Sequence, residues 1–403
     1  MIFELILAFI LGIIAGTFTG LLPGIHINLV SALVISYLVS LLSIFPAISI
    51  AIFIVSLSIT HTFIDFIPSI FLGAPDESAL SVLPGHKLLL EGKAYEAVIY
   101  TTVGCLISLP LLLILTPFFI FLLPKIFFYL KFVMFIILLS VSIYMITTNK
   151  NKFLALIVFL LSGFLGISTL FININQPLLP LLSGLFGASS LLSSIRKKEK
   201  LPPQSLSKPK IDSSDIKSTF FTSLISSPLC SFLPALGSSQ AAIIGTNIQS
   251  QENNQKNNQK RFLMLLGSVN LLVISLSFVT VYVIEKARTG SAVAIQEILN
   301  NFNFSDLAII IITILLTSLF AFFLTLKIAK IFSKNISRIN YTLLSIIILS
   351  FLSIIILYFS CIAGFLLYVV STFTGLFAIE SETRRTNLMG CLMLPSILLY
   401  LPI

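Results

Sequence analysis

The sequence predicts an all-α polytopic membrane protein, and three observations carry this prediction. Of the 403 residues, 57% are hydrophobic and only 10% are charged, and the mean hydropathy is +1.09. Many apolar runs reach the roughly 20 residues that a helix needs to cross a bilayer. Basic residues concentrate between these runs, as the positive-inside rule expects of cytoplasmic loops. The net charge of +9 therefore reflects membrane topology, and we expect contact with the lipid bilayer and no nucleic-acid partner.

The apolar runs predict roughly 10–12 membrane segments, most of them long enough to span the bilayer. The first is a retained span at 2–22, because no basic stretch precedes it and no small-residue cleavage site closes it. We expect two segments within 341–378. The others are expected at 27–42, 46–74, 98–123, 126–147, 153–171, 177–194, 262–284, 305–326 and 387–402. Such a chain is a multi-pass protein of the plasma membrane.

A Pro-Gly pair, Pro23-Gly24, interrupts the apolar sequence after the first span. A proline followed by a glycine ends one helix and lets the chain turn into another. The new helix is expected to begin near His26, with His26 and Asn28 in its first turn. Its first backbone N–H groups have no partner inside the helix, so they form a ready site for an anion.

A second apolar run is interrupted in the same way, by Pro234 and Gly237. The polar residues that are suited to cap a new helix here are Ser238, Ser239 and Gln240. Two such interruptions in corresponding halves are the best sequence pointer to a transporter's binding site, so we expect them to meet near the bilayer midplane. A simpler interpretation stays open for each, namely a kinked span with a tight turn.

A basic linker at 196–217, with three prolines, divides the chain into two membrane halves, at 1–195 and 218–403. Its charge places the linker in the cytoplasm, and we expect it to pack little against the rest. The Gln/Asn-rich stretch 249–261, which ends in Lys260-Arg261, is expected to be a second solvated cytoplasmic loop. A late loop with local ion pairs is expected to contain Glu380, Glu382, Arg384 and Arg385.

The two halves share features that predict an internal repeat. Each has one Pro/Gly-broken helix, and Gly184-Leu-Phe near the end of the first half matches Gly375-Leu-Phe near the end of the second. Internal duplication is a common construction for secondary transporters. Counting crossings puts residues 85–97 and 249–261 both on the cytoplasmic side, which favours parallel halves. Uncertain spans in both halves leave inverted halves open.

Ionisable residues inside the hydrophobic stretch 46–74 are candidates for ion coupling. His61 and Asp65 are four residues apart and so share one helix face. An ionisable residue within a membrane segment is a functional hypothesis by default. Asp65 is expected to bind and release the coupling ion, with His61 as hydrogen-bond partner or second proton site, unless both sit wet at an interface. Asp76, which follows Pro75, either caps a helix or binds Na⁺ with turn carbonyls.

Residues 73–97 resemble the large permease of tripartite tricarboxylate transporters, the TctA family. The resemblance rests on Gly73-Ala-Pro-Asp-Glu, then Pro84-Gly85, then Gly92-Lys-Ala-Tyr-Glu-Ala, and the two broken elements also look like the family. It covers nearly the whole chain, and its motifs are Gly/Pro patterns rather than catalytic residues. Asp76 stands where the family usually has glycine, and Pro84 where it has aspartate. The chain is also shorter than typical members, so it looks like a short, divergent branch.

The resemblance implies a permease for small carboxylates that is driven by an ion gradient. Typical members of the family work with a small membrane subunit and an extracytoplasmic binding protein. We therefore expect a secondary transporter of small organic anions such as di- and tricarboxylates, with no cofactor except Na⁺ or H⁺ as the coupling ion. The half-helix N-termini at 24–28 and 237–240 are expected to hold the carboxylates.

Two other functions compete with this expectation. A flippase or exporter of a phosphate-bearing lipid carrier would use the same helix N-termini for phosphate, and its site would open sideways to the bilayer. A membrane-embedded enzyme would need ionisable groups gathered around one cavity. The sequence has no His-Glu-x-x-His, no Gly-x-Ser-x-Gly and no Walker A loop, and its four cysteines lack metal-type spacing. We expect neither an enzyme nor a metal site.

Overall fold

The computed structural model describes residues 2–22, 27–72, 82–172, 174, 176–197, 202–232, 238, 241–242, 245–246, 255–287, 289–336 and 340–401. Within these residues the regular structure is helical, without strands. The first half contains α1 (Ile2–Leu21), α2 (Ile27–Ser36), α3 (Leu38–Leu42), α4 (Ala47–Ile64), α5 (Phe66–Leu72), α6 (Val82–Leu90), α7 (Ala94–Thr147), α8 (Lys152–Phe171), α9 (Leu178–Leu182), a π-helical turn (Ser183–Ala188) and α10 (Ser189–Lys197). The second half contains α11 (Ser213–Phe232), α12 (Gln255–Ile284), α13 (Gly290–Ile298), α14 (Phe304–Asn335), α15 (Tyr341–Glu380), a 3-10 helix (Arg385–Met389) and α16 (Gly390–Leu399).

Seven helices of the described residues are long and apolar enough to cross a membrane. Three shorter apolar helices, Val133–Thr147, Leu178–Ser193 and Arg385–Leu399, join them. The all-α polytopic class is therefore confirmed, and these ten segments lie within the expected number. The centre of the molecule is formed by α4–α5 and α12. In their most apolar stretches 83% and 94% of the residues are buried, compared with 11% in α1.

Two helices are too long to be single spans. A straight helix of 54 residues, the length of α7, would measure about 80 Å, whereas the hydrocarbon core is about 30 Å thick. Three internal prolines interrupt its hydrogen bonding: Pro110, Pro117 and Pro124. In α15, two helices join at Cys361, which has φ 54° and ψ −164°. The kink divides 341–378 into two helices three residues before Gly364, and the crossing of the membrane by each of them stays a prediction.

Glycines of α1 bring this helix into close contact with α4. An added Cβ at Gly12 would lie 2.7 Å from Ser56, and one at Gly20 would lie 2.8 Å from Ile64. Because the contacts advance along both helices together, α1 and α4 run side by side in the same direction. The chain must therefore return across most of the thickness of the bundle between the end of α1 and the start of α4, and α2 and α3 belong to this return.

Contacts at two levels show that α14 runs in the same direction as α4 and α5. Thr317 Oγ1 donates to Ser56 Oγ at 3.3 Å, and the rings of Phe71 and Phe332 lie 5.9 Å apart. The second half thus packs one of its long helices alongside the central helix of the first half.

A second pair, α7 and α12, begins at a common end. Lys260 Nζ lies 6.0 Å from the centre of the Tyr100 ring, and Cys105 Sγ donates to the carbonyl of Gly267 at 3.3 Å. Like the first pair, this one joins a helix of each half, and its contacts also advance in the same direction.

The two pairs run in opposite directions. At the end of α5, Ile70 lies 2.8 Å from where a Cβ of Gly85 in α6 would be. With nine residues, α6 is only about 13 Å long, so α5 must end where α7 begins. We call this the basic end, defined by the starts of α7, α11 and α12 and the ends of α5 and α14. The end of α14 carries Lys327, Lys330 and Lys334, and by the positive-inside rule we predict that the basic end faces the cytoplasm.

Candidate functional site

His61 lies in the last turn of α4, against α1. Its side chain is buried, and Nδ1 lies 3.0 Å from Thr19 Oγ1. The Thr19 hydroxyl also donates to the carbonyl of Gly16 at 3.2 Å, so Thr19 joins the His61 ring to the backbone of α1.

Asp65 follows directly, at the junction of α4 and α5. Its backbone N–H donates to His61 O at 2.8 Å, and Ser69 Oγ donates to Asp65 Oδ1 at 3.1 Å. Only 4% of the residue is exposed. The alternative of two wet side chains at an interface is therefore wrong. The structure brings both ionisable residues into the protein interior. Ser69 is four residues after Asp65 and so is a local neighbour, whereas Thr19 lies 42 positions from His61 and has no local sequence signal.

The pair adjoins the first broken stretch. Thr19, the partner of His61, stands four residues before Pro23, and an added Cβ at Gly20 would lie 3.1 Å from His61 O. Beyond that point α2 is described from Ile27, so the backbone of Asn28 lies in its first turn, as expected. Outside the described residues lie Pro23, Gly24, His26 and Asp76.

The second broken stretch follows the end of α11 at Phe232. Ser238 is buried, and its hydroxyl has no hydrogen-bond partner. Further along, Gly245 packs between the helices, 3.2 Å from Ser226 Oγ of α11 and 2.9 Å from Leu265 of α12, measured from an added Cβ. Pro234, Gly237, Ser239 and Gln240 lie outside the described residues, and so the predicted meeting of 24–28 with 237–240 stays a prediction.

A buried charge cluster joins α11 to α12 at the basic end. Arg261 Nε donates to Asp215 Oδ1 at 2.9 Å, and Lys260 Nζ pairs with Asp215 Oδ2. Burial alone would raise the pKa of Asp215, but hydrogen bonds from the two cations outweigh it and hold this pKa below its ordinary value. The prediction that Lys260 and Arg261 lie in a solvated loop is wrong, because both are in α12 and 8% exposed. Nothing local in the sequence pairs them with Asp215.

The linker is fastened to the rest of the basic end. The side chain of Gln204 bridges α6 and α7, accepting from Ala94 N at 3.0 Å and donating to Leu89 O at 3.0 Å. Ser205 N donates to Gly92 O at 2.7 Å, and Lys260 Nζ to Lys210 O at 2.7 Å. The expectation of little packing is therefore wrong. Helices α10 and α11 also extend into the predicted 196–217, which leaves 202–212 as the described non-helical part.

The late charged residues do not form a local loop network. Glu380 pairs instead with Arg196 of the first half, at 2.7 Å on the surface. Arg384 donates its backbone N–H to Asn149 Oδ1 at 2.9 Å. Arg385 is 8% exposed, and among the described residues no carboxylate pairs with it. The prediction of local ion pairs is therefore wrong, because the observed partners of Glu380 and Arg384 are Arg196 and Asn149, which lie far away in the sequence.

Comparison with known proteins connects this architecture to a family. The model of the tripartite tricarboxylate transporter TctA family matches residues 6–390. An uncharacterized protein of Methanocaldococcus jannaschii is 34% identical over 360 residues, which cover 87% of this chain and 88% of that protein. No solved structure matches. Since the family match spans almost the entire helical bundle, this multi-pass membrane protein belongs to the TctA family of tripartite tricarboxylate transporters.

Proposed function

We propose that the chain is a secondary active transporter of small organic anions, such as di- and tricarboxylates, coupled to protons or Na⁺. Family membership supports the transport of carboxylates. The observation that carries the coupling is the burial of His61 and Asp65 beside the end of α1, next to the first broken stretch. A change in charge there would act on the element that is proposed to hold the substrate.

The substrate is held, in this proposal, by helix N-termini rather than by a dedicated arginine. The first is the start of α2 with Asn28 in its first turn, and the second is at 237–240. Unpaired N–H groups and the helix dipole favour a carboxylate at each. The buried, unpartnered hydroxyl of Ser238 supports a polar lining at the second.

The transport mechanism would be alternating access by an inverted repeat. Pro23 and Pro234 are 211 residues apart. When 211 is added to each residue number of α1, its range coincides with the range of α11 from the first residue to the last. The same shift brings α4–α5 onto α12 and the start of α7 onto the start of α14. Since α4 and α14 run against α7 and α12, each helix runs opposite to its counterpart.

The close contacts of the two halves support the same relation. The buried face of α1 carries Gly12, Gly16 and Gly20, and the shift places buried serines at all three positions: Ser223, Ser227 and Ser231. Residues 85–97 and 255–261 do lie at one end of the molecule, as the crossing count expected. They are not counterparts under this shift, however, so the count does not support parallel halves.

The Gly-Leu-Phe segments have a different relation from the one expected. Gly184 and Gly375 do not correspond in the inverted repeat. Instead, their helices pack against each other: an added Cβ at Gly184 would lie 2.6 Å from Tyr368 O, and one at Gly375 would lie 2.6 Å from Ser189 Oγ.

A reciprocal contact identifies the counterpart of Gly184. An added Cβ at Gly390 would lie 2.7 Å from Ser162 Oγ and would overlap Phe159 O. Phe159 and Ser162 of α8 have the same spacing as Tyr368 and Ser371 of α15, both of which contact Gly184. The contact of α8 with Gly390 of α16 therefore repeats the contact of α15 with Gly184 of the π-helical turn, which supports the duplication over the remainder of the chain.

Partners follow from the family. We propose two partners, a small membrane subunit and an extracytoplasmic binding protein. The binding protein would deliver the anion to the non-cytoplasmic face of the permease. If transport depends on these two partners, the purified chain alone will not take up substrate. Uptake should therefore be measured both with and without the two partner proteins.

The test is uptake by proteoliposomes that contain wild-type protein or Asp65→Asn. The substitution removes the charge and keeps the volume. We expect Asp65→Asn to retain counterflow exchange of a labelled tricarboxylate but to lose uphill accumulation under a pH or Na⁺ gradient, because exchange need not release the coupling ion.

The matched control is Glu380→Gln, which neutralises an exposed carboxylate and should accumulate substrate normally. Accumulation by Asp65→Asn equal to wild type between about pH 5 and pH 8, on either side of the ordinary histidine pKa, would refute the coupling role. A thermal-shift screen against di- and tricarboxylates and lipid phosphates separates the anion permease from the lipid-carrier exporter.

A further inference from the structure

The side chain of Arg385 lies between the two halves, where the π-helical turn of the first half meets the 3-10 helix of the second. Its Nη2 donates to Phe186 O at 3.3 Å and to Ser189 Oγ at 3.3 Å, and it also contacts Ser190 Oγ. The π-helical turn leaves carbonyl groups available for such donors. One edge of the guanidinium is thus firmly held by neutral acceptors.

The Nε–H group of the same guanidinium has no partner. Nε is buried and donates to no acceptor, and the buried hydroxyl of the next residue, Thr386, likewise has no partner. Within the described part of the chain no carboxylate lies within ion-pair distance of Arg385, and the nearby Glu380 pairs with Arg196 instead. An arginine does not lose its proton, and a buried cation without an anion is costly. The site therefore lacks a negative charge.

The surrounding surface is basic. Arg384 donates to Thr148 Oγ1 at 3.3 Å and so holds the α7–α8 turn beside Arg385. Among the described residues, the exposed cations of this surface are Lys150, Lys152, Arg196 and Arg384, and its exposed acids are Glu380 and Glu382. These described side chains carry four positive charges against two negative ones, so together they make the surface around the buried guanidinium net positive. By the positive-inside rule this surface faces the cytoplasm.

We propose that Arg385, with Thr386 Oγ1, binds a phosphate oxyanion at the cytoplasmic face of the membrane. Arginine donors in a planar fork match phosphate oxygens, and basic pockets between membrane helices on the cytoplasmic side bind anionic head groups. The phosphate would come from a phospholipid head group or from the cytosol. This site is separate from the transported substrate and does not depend on which anion is carried.

The experiment compares wild type, Arg385→Gln and the control Lys152→Gln, which removes the same charge from the exposed part of the same surface and leaves the Arg196–Glu380 pair intact. Delipidated protein is titrated with inorganic phosphate at constant ionic strength, and nanodiscs with and without phosphatidylglycerol are compared by native mass spectrometry for retained lipid. We expect wild type and Lys152→Gln to bind phosphate or to retain the anionic lipid. Arg385→Gln should bind about tenfold more weakly or worse, as for loss of a hydrogen bond to a charged group.

The two arms separate the sources of the phosphate. If inorganic phosphate stabilises the delipidated protein, the natural ligand is a soluble phosphate anion. If the protein retains phosphatidylglycerol but inorganic phosphate does not stabilise it, the ligand is a lipid head group. If Arg385→Gln does not fold, Arg385→Lys and Thr386→Val take its place, since each keeps the positive charge and removes one of the unpartnered donors. Wild-type protein that binds neither form, or variants that bind as tightly as wild type, would overturn the site and leave Arg385 only as a fastening of the π-helical turn.

Discussion

Replacing Asp215 by asparagine should destabilise the fold strongly, because it removes the carboxylate between two buried cations. The side chain of Asp215 is 4% exposed, and those of Lys260 and Arg261 are each 10% exposed. Breaking a buried ion pair by removing one partner costs about 3–5 kcal/mol. Lys260 keeps its hydrogen bond to Lys210 O at 2.7 Å, so we expect the lower part of this range, about 3 kcal/mol.

A neighbouring carboxylate provides the control. The side chain of Asp212 is 56% exposed and lies 3.9 Å from the same lysine. An exposed pair contributes about 0–1 kcal/mol, so Asp212→Asn should change stability little. Unfolding in mixed micelles titrated with SDS can be followed by far-UV circular dichroism, which suits a chain without tryptophan. Equal losses in Asp215→Asn and Asp212→Asn would refute the reasoning.

The same cluster makes a prediction about pH. The pKa of Asp215 is lower in the folded protein than its ordinary value of 3.8. The unfolded chain therefore binds its proton more readily, and the contribution of the cluster to stability is complete above that ordinary value. It is lost as the pH falls through the ordinary value toward the lower, folded one. The stability difference between wild type and Asp215→Asn should thus be constant near neutral pH and should narrow below about pH 4.

Three further substitutions test the packing and the topology. Gly267→Ala should prevent or severely weaken folding because the added Cβ would overlap Thr101 O, whereas Gly187→Ala should be neutral or slightly stabilising because the nearest atom to its added Cβ is 4.0 Å away. The unfolding midpoints of the two variants measure the difference, and a well-folded Gly267→Ala protein would contradict the prediction. Lys208→Cys in the linker should react with a membrane-impermeant maleimide in inside-out vesicles but not in intact cells, and labelling of intact cells would contradict a cytoplasmic basic end.

An inverted repeat changes how the buried groups of the first half are understood. The 211-residue shift brings His61 and Asp65 onto Leu272 and Leu276 of α12. At these two matched positions, ionisable side chains thus occur in only one of the two central helices. In the proposed mechanism the second half would supply the matching framework, and the first half alone would supply the coupling chemistry.

The sequence by itself determined the class of the protein and the position of its ionisable groups. Composition and the length of the apolar runs require helices in a membrane, because a bilayer leaves no other way to satisfy a spanning backbone in such segments. A carboxylate within an apolar run, such as Asp65, is also recognisable from local sequence alone. Local sequence does not decide, however, whether that carboxylate is buried or lies in interfacial water. Helix breaks at Pro/Gly pairs follow from the same local stereochemistry.

Only the tertiary structure decided which residues meet. Asp215 pairs with Arg261, and Arg385 with Ser189, across 46 and 196 positions of the chain. The directions of the helices were equally hidden, since the parallel course of α1 and α4 follows only from the contacts of Gly12 and Gly20 with α4. Local sequence sets where a helix begins and how apolar it is, but the neighbour of each helix depends on how whole surfaces pack, and packing is a property of the assembled bundle.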